Sequence, residues 1–402
     1  MAKIAIMGFG TVGSGVAEVL SMNQAEIRRK TGEPVELKYI LDTREFPGNP
    51  YEKYVVHDFA VLENDPEVSV VVECIGGCGV ALQFASRALR AGKHVVTSNK
   101  ALVAAHGVEL LNLAKEHNRN FLFEASVGGG IPLLRPLTFC LAGNRIEEIC
   151  GILNGTTNYI LTKMIREGLT FDGVLRDAQS KGYAEADPSA DVDGLDACRK
   201  ICILAALAYG HHIYPEQVYT RGIRGIAPED IAFAEAAGMK IKLFGRTYRQ
   251  EDGKIVIYVS PHMIPASAPL AGVEDVFNAV MVRGNAVGEV IFYGQGAGKL
   301  PTASAVVGDV IDCVLHQEQR RGIDWADDGR DLVADFSSLP LRWFIRTEAG
   351  DGAVRAAFRG AELISPAAGG QNGFLTAPLS KGRLDQMQAS GFSILSAIPV
   401  LG

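Results

Sequence analysis

The chain has 402 residues, 48% hydrophobic and 21% charged, with a formal net charge of −7; this is apolar material for two or three cores and excludes disorder, and it argues against nucleic acid as a main partner. Seven cysteines without a CxxC pair read as reduced thiols, and the four-residue spacings Cys74/Cys78 and Cys198/Cys202 read as small buried residues, since a zinc site would recruit a second pair. The most apolar helical run, residues 201–209, falls far short of the ~20 residues of a membrane span, and the first residues lack a secretory pattern, so the expected location is the cytoplasm, with no membrane partner.

Residues 3–7 (KIAIM) predict a strand, GFGTVG (8–13) a glycine turn, and residues 14–20 a helix. GxGxxG between a strand and a helix is the context a dinucleotide site needs. Gly8 allows the tight turn, Gly10 the approach of a pyrophosphate, and Gly13 close helix–strand packing, with phosphates at the positive helix end. Gly8, Phe9, Gly10, Thr11, Val12 and Gly13 are therefore candidate cofactor residues. Strand 35–41 ends in Asp42, placed to accept hydrogen bonds from an adenosine ribose as in NAD sites, while Arg44 suits the 2′-phosphate of NADP; both readings stay open. Strand 68–74, the Gly76-Gly77 turn, helix 82–91, strand 94–97, helix 107–117 and strand 121–124 follow. This alternation predicts an α/β, doubly wound parallel sheet of Rossmann type. Ligands lie beyond the carboxyl ends of such strands, so Thr97, Ser98 and Lys100 point at the nicotinamide region; position alone leaves Lys100 open between that role and a solvated surface charge.

The triple glycine of EASVGGGIP (124–132) implies a contorted backbone, either an interdomain hinge or a bend that turns carbonyls towards a cation. Residues 149–153 read as a strand, and NGTTN (154–158) caps a helix over 159–167 and can present donors to a ligand carboxylate. Next, KGYAEADPSADVDGLDACRK (181–200) packs Glu185, Asp187, Asp191, Asp193 and Asp196 into a short stretch. A calcium loop is excluded: with Gly194 at its sixth position, Lys200 falls where the essential twelfth glutamate belongs. The stretch predicts an acidic loop feeding a helix over 195–209, on which Asp196 and Lys200 share a face. That is either a surface ion pair beside solvated acids or a site for a small molecule with ammonium, carboxylate and hydroxyl groups. Turns and strands are expected at 221–225, 240–246, 254–262 and 278–292, helices at 228–237 and 302–314, and a charged linker at 318–338. The tail predicts strand, strand, strand, helix, strand over 342–347, 361–365, 374–378, 382–389 and 392–400.

Taken in order, GFGTVG (8–13), HVVTSNKALVA (94–104), EASVGGGIP (124–132), LNGTTNYIL (153–161), the 181–200 stretch and GQGAGKLPTASAVVGD (294–309) resemble homoserine dehydrogenase. The resemblance implies NAD(P)-dependent interconversion of L-homoserine and L-aspartate 4-semialdehyde, on the route to threonine, methionine and isoleucine. It implies an amino-acid site lined by Glu185, Asp191, Asp196 and Lys200, with Lys200, Lys100 and Asp196 as the catalytic group and Lys200 handling the proton at the substrate oxygen. Asp193 is left solvated and Asp187 undecided. A monovalent cation, Na+ or K+, would lie on backbone carbonyls of Glu124, Val127, Gly129 and Ile131, and Gly182 and the 296–298 turn, with Gly298, would approach the cofactor. Two lysines facing one oxygen would lower each other's pKa, and Asp196 would oppose that for Lys200.

The implied architecture is a Rossmann NAD(P)-binding domain over 1–130 with a helix at about 300–316 packing back on it, an α+β substrate-binding and dimerisation domain over 131–318, and a small, reduced ACT-like module over 339–402. Its partners would be the two substrates and a second copy of the chain. In the tail the interval between the first two strands is short and the usual glycine-leucine turn is missing, which puts threonine inhibition in doubt. Two competitors are weaker. An aspartate-semialdehyde dehydrogenase needs a nucleophilic cysteine with a histidine base, and no cysteine here has that setting; a non-catalytic sensor would not need the lysines and the cofactor turn that this chain keeps.

Overall fold

A computed structural model describes residues 1–368 and 370–401. The N-terminal third forms a six-stranded parallel sheet in the order Val55–Val56, Val35–Leu41, Ala2–Met7, Val68–Glu73, His94–Thr97, Phe121–Leu122. Ile4, Ile6, Val70, Val71, Val72, Val95 and Val96 are fully buried; a parallel strand covered by helices on both faces reads as such a continuous apolar run. The order reverses between Ala2–Met7 and Val68–Glu73, and the glycine turn sits at that switch point. Gly8 has φ +89°, and a Cβ on it would lie 2.7 Å from the Cys74 carbonyl oxygen. A Cβ on Gly13 would strike the carbonyl of Gly8. The turn is thus folded onto itself and onto the neighbouring strand so tightly that glycine is required at both places.

The second sheet runs Gly288–Gln295, Phe277–Gly284, Ile146–Ile152, Met239–Arg249, Ile255–Pro265, Ser396–Val400, Arg342–Thr347, Gln371–Leu375, Glu362–Ala368. Its centre is an eleven-pair antiparallel hairpin, Met239–Arg249 against Ile255–Pro265, with every residue from Ile255 to Ile264 buried. The helices Gly155–Glu167 and Leu195–Tyr209 pack on this sheet. The stretch read as one segment over 278–292 is two strands, joined by a turn through Asn285–Val287.

Two further regions depart from the sequence reading. The tail holds a helix, Asp351–Ala357, between its first two strands. It is therefore a βαββαβ unit whose strands order 4-1-3-2, joined edge-on to the larger sheet through the parallel pair Met263 and Val400. The short, alanine-rich and weakly amphipathic sequence there gives little helical signal. The interval 318–338 is a packed strap, not a plain linker. Trp325, 5% exposed, lies on Gly107 and Phe123 and donates from its indole nitrogen to Nδ1 of His212 at 3.0 Å. Val333 bridges to Ile255.

The helix Lys299–Leu315 returns to the parallel sheet and packs on Thr11–Met22, with Gly15 giving room for Lys299. Asp309 on it accepts the Glu124 backbone N–H at 2.8 Å. Among the described residues no helix is long and apolar enough to cross a membrane.

Candidate active site

One wall of the site is built from the ends of the parallel strands. Glu73, fully buried, accepts N–H bonds from Ile75 (2.7 Å) and Gly76 (3.3 Å) and a hydroxyl bond from Thr97 (2.5 Å). Burial raises the pKa of this carboxyl, and the bonds oppose the rise. The Thr97 hydroxyl in turn accepts the N–H of Asn99 at 2.9 Å. Asn99 caps the next helix through the Leu102 N–H at 3.1 Å and ties its amide to the Gly77 carbonyl at 2.6 Å. The helix Lys100–Glu116 therefore opens at Lys100, seven residues before the expected start at Gly107, and bends at His106. Ser98 lies beside the Cys74 sulfur at 4.0 Å. A cation in the first turn of a helix opposes the helix dipole, so Lys100 needs an anion, and Asp196 supplies it: Nζ to Oδ1 is 2.8 Å.

The facing wall comes from the second sheet. Asn154 caps Gly155–Glu167 by accepting the Thr157 N–H at 2.8 Å. Its amide nitrogen donates to Asp191 Oδ1 at 2.7 Å and to Asp196 Oδ2 at 2.9 Å. Gly194, at φ +86°, turns the acidic loop into the helix Leu195–Tyr209. One turn along that helix, Lys200 donates to Asp196 Oδ2 and to the Leu153 carbonyl, each at 2.7 Å. The two lysines thus take opposite oxygens of one carboxylate.

The electrostatics follow. Burial would raise the Asp196 carboxyl, but Lys200 and then Lys100, with Asn154, hold it well below the usual carboxylate range. For Lys200 burial is the largest influence and lowers the pKa; Lys100 lowers it further, and Asp196 opposes both. Asp191 is raised by burial and by Asp196, against its bond from Asn154. The side chain of Lys200 is 10% exposed and that of Lys100 38%, so the desolvated lysine is the one on the helix Leu195–Tyr209.

At the cofactor turn, Gly10 precedes the helix Thr11–Met22 with no side-chain cap, and a Cβ on it would meet nothing within 4 Å. The first N–H groups of that helix are open to an anion, as a pyrophosphate cradle requires. Asp42 is already engaged: one oxygen accepts the Phe9 N–H at 2.7 Å and the Arg44 Nη2 at 2.9 Å, the other the Arg44 backbone N–H and Nε. Arg44 is 59% exposed beyond it. It is the arginine side chain, not the carboxylate, that faces outward.

The remaining predicted residues are more scattered. Glu185 is exposed, and its side chain makes no hydrogen bond among the described residues. Gly182, at φ +73°, lies exposed just past the helix Phe171–Ser180, and Gly298, at φ +124°, opens the returning helix. Asp187 accepts the Ser189 N–H at 3.1 Å. Asp193, expected to be only solvated, pairs with Arg224 at 2.5 Å. The Glu124 carboxylate is spent on the N–H groups of Leu133, Leu134 and Arg135. The carbonyls of Val127, Gly129 and Ile131 accept no hydrogen bond among the described residues although the three residues are buried, and such unsatisfied oxygens suit a cation. Sequence reasoning misses the double role of Asn154, which reads as a cap, and misses Glu73, whose only signal is an acid ending an apolar strand.

Comparison with known proteins adds identity to this geometry. The family model "Homoserine dehydrogenase, NAD binding domain" matches residues 8–124, and the model "Homoserine dehydrogenase" matches residues 132–311. The chain is 46% identical over 314 residues to homoserine dehydrogenase of Bacillus subtilis, covering 77% of this chain and 72% of that protein. Its structure resembles a homoserine dehydrogenase from Thiobacillus denitrificans with a TM-score of 0.88 and 33% identity, over 100% of this chain and 98% of that one. It also resembles a hyperthermophilic archaeal homoserine dehydrogenase in complex with NADPH, with a TM-score of 0.67 and 33% identity, over 78% of this chain and 98% of that one.

Proposed function

The chain belongs to the homoserine dehydrogenase family, and from that premise we propose how its residues divide the work. The enzyme is an NAD(P)-dependent oxidoreductase that interconverts L-homoserine and L-aspartate 4-semialdehyde, a step of threonine, methionine and isoleucine biosynthesis. The nicotinamide cofactor, when bound, takes up or supplies the hydride. The protein has to align the substrate carbon and move one proton at its oxygen.

Lys200 is assigned that proton. An exposed lysine titrates at ~10.4 and is a poor base at neutral pH; burial and Lys100 lower Lys200 from that value. Neutral Lys200 accepts the hydroxyl proton during oxidation, and its ammonium returns it during reduction. Asp196 stays ionised and fixes both lysines, while Lys100 holds the oxygen from the nicotinamide side. Asp191 and the exposed Glu185 are assigned to the substrate ammonium. The observation that carries this reading is the single buried carboxylate bridging two lysines from opposite walls.

Asp42 has no oxygen left for a ribose, whereas Arg44 offers an exposed guanidinium, so the preferred cofactor is proposed to be NADP. Arg44→Ala is expected to raise KM for NADP(H) about ten- to a hundredfold, the worth of a charge-assisted contact, and to leave KM for NAD(H) nearly unchanged. Equal losses with both cofactors would refute the assignment.

The loop carbonyls of Val127, Gly129 and Ile131, with that of Glu124, are proposed to hold Na+ or K+, and Gly182 and Gly298 to border the cofactor. The proposed division of the chain is 1–130 for the cofactor, with the helix at about 300–316 returning to it, 131–318 for substrate and dimerisation, and 339–402 as an ACT-like unit, which the βαββαβ order supports. A homodimer is proposed because the edge strand Gly288–Gln295 exposes Ile291 and Tyr293, and the proposed location is the cytoplasm. The direct test follows absorbance at the reduced nicotinamide band, with homoserine and each cofactor, with and without Na+ or K+. Homoserine-dependent reduction, faster with the cation, is expected; reduction without homoserine, or none with it, would sink the reading.

A further inference from the structure

Two asparagines stand close together behind the substrate wall, and the protein treats them in opposite ways. Asn158, on the helix Gly155–Glu167, is fully used. Its amide nitrogen donates to the carbonyls of Val273 (3.3 Å), Asp275 (3.0 Å) and Phe277 (3.1 Å), and its oxygen accepts from Lys242 at 3.0 Å. Asn278, on the strand Phe277–Gly284, is 1% exposed, and neither its amide nitrogen nor its amide oxygen has a partner among the described residues. A buried amide left open at both ends costs stability, and such a group calls for a specific reason.

The surroundings of Asn278 supply one. Its backbone pairs with Gly294, and its amide lies directly under Gly296: a Cβ there would collide with the amide nitrogen and stand 2.7 Å from the oxygen. On its other side, a Cβ on Gly155 would lie 3.5 Å from the same oxygen. Gly296 also abuts the candidate cation loop, since a Cβ on Gly129 would lie 2.9 Å from the Ala297 nitrogen, and the Gly130 N–H donates to the Gln295 carbonyl at 3.1 Å. Directly after Gly298 begins the helix that packs on the cofactor-turn helix. One unpartnered amide therefore lies between the start of the Asn154-capped helix and the 294–298 turn, with glycine at each point of contact.

We propose that Asn278 is a positioning residue: its amide is the floor on which the 294–298 turn rests, and through Gly296 it fixes how that turn meets the cofactor. The inference rests on the reading that this turn borders the cofactor. A polar group kept at a cost to stability beneath such a turn serves the geometry of the site, because an apolar side chain of the same shape would serve the core better.

The test is Asn278→Leu, which keeps the shape and removes both polar atoms, or Asn278→Ala where the first does not fold. Thermal midpoint, the two KM values, kcat and the primary isotope effect with deuterated reduced cofactor are measured. The expected result is an unchanged or higher midpoint together with a roughly tenfold or greater loss of kcat/KM, a KM rise larger for cofactor than for homoserine, and an altered isotope effect. Unchanged kinetics, or a lower midpoint with both KM values and the isotope effect unmoved, would overturn the proposal. Gly298→Ala, strained at φ +124°, disturbs the turn without touching Asn278. If that variant leaves cofactor KM unmoved, the turn does not border the cofactor and the underlying reading fails; if it raises KM while Asn278→Leu does nothing, only the role of Asn278 fails.

Discussion

Replacing Lys200 by alanine is expected to lower kcat about a thousandfold in both directions, within the range a positioned acid–base group supplies, while cofactor affinity, read by fluorescence titration, stays almost unchanged. Lys200 touches Asp196 and the Leu153 carbonyl but no part of the glycine turn. The variant keeps Lys100 on the other oxygen of Asp196, so the buried carboxylate is not stranded, and the stability loss falls below the ~3–5 kcal/mol of breaking a buried pair outright. The fold is therefore expected to survive while the chemistry is lost. Lys200→Arg is expected to fare little better, since a guanidinium cannot act as a base and its planar fork does not replace a compact ammonium. Near-normal turnover of Lys200→Ala with an unchanged pH profile would show that the proton goes elsewhere.

Much of this site is legible in the sequence, and for identifiable reasons. The helix Leu195–Tyr209 can be read with both ends right because Gly194 and Gly210 bound it, and both adopt the left-handed conformation that glycine tolerates best. The i,i+4 spacing of Asp196 and Lys200 is enough by itself to set them side by side on one helix face. The partner of that pair is harder to place. The motifs lead one to expect two lysines facing one substrate oxygen, and the fold adds that one carboxylate holds them both. Lys100 is almost a hundred residues away, and its place depends on Asn99, Thr97 and Glu73 knitting the strand ends together. Long-range hydrogen bonding of this kind leaves no periodicity to read. Trp325 is a similar case, because a single aromatic in a charged stretch gives no pattern, and only the gap left by Gly107 shows where it belongs. Asn154 looks like a cap and is one; its second task, joining Asp191 to Asp196, emerges only when two distant loops meet.

Asp196→Asn gives the second large effect, and its signature is a pH shift as much as a loss of rate. The amide keeps the shape but cannot neutralise two ammonium groups, so kcat is expected to fall at least a hundredfold as the lysines lose their common anchor. Asp196 is also what keeps the Lys200 pKa from falling further. Without it, burial and Lys100 act unopposed, and the limb on which homoserine oxidation rises with pH moves to lower pH. Stability changes with a definite sign. In the wild-type protein the Asp196 pKa is held below its unfolded value, so its contribution is present above about pH 4 and is lost as pH falls through the lower folded value. The variant lacks that contribution at neutral pH and confines two cations near one another, a cost of about 3–5 kcal/mol. Lys200 can relieve the repulsion by releasing its proton. Between its depressed folded pKa and the unfolded value of ~10.4 the unfolded chain binds more protons, so the variant gains stability as pH rises. Thermal melts of both proteins from pH 6 to 10, beside pH–rate profiles, should therefore show a stability gap that narrows with pH and a rising limb displaced to lower pH. A limb displaced upward, or a gap that widens, would mean that Asp196 does not govern Lys200.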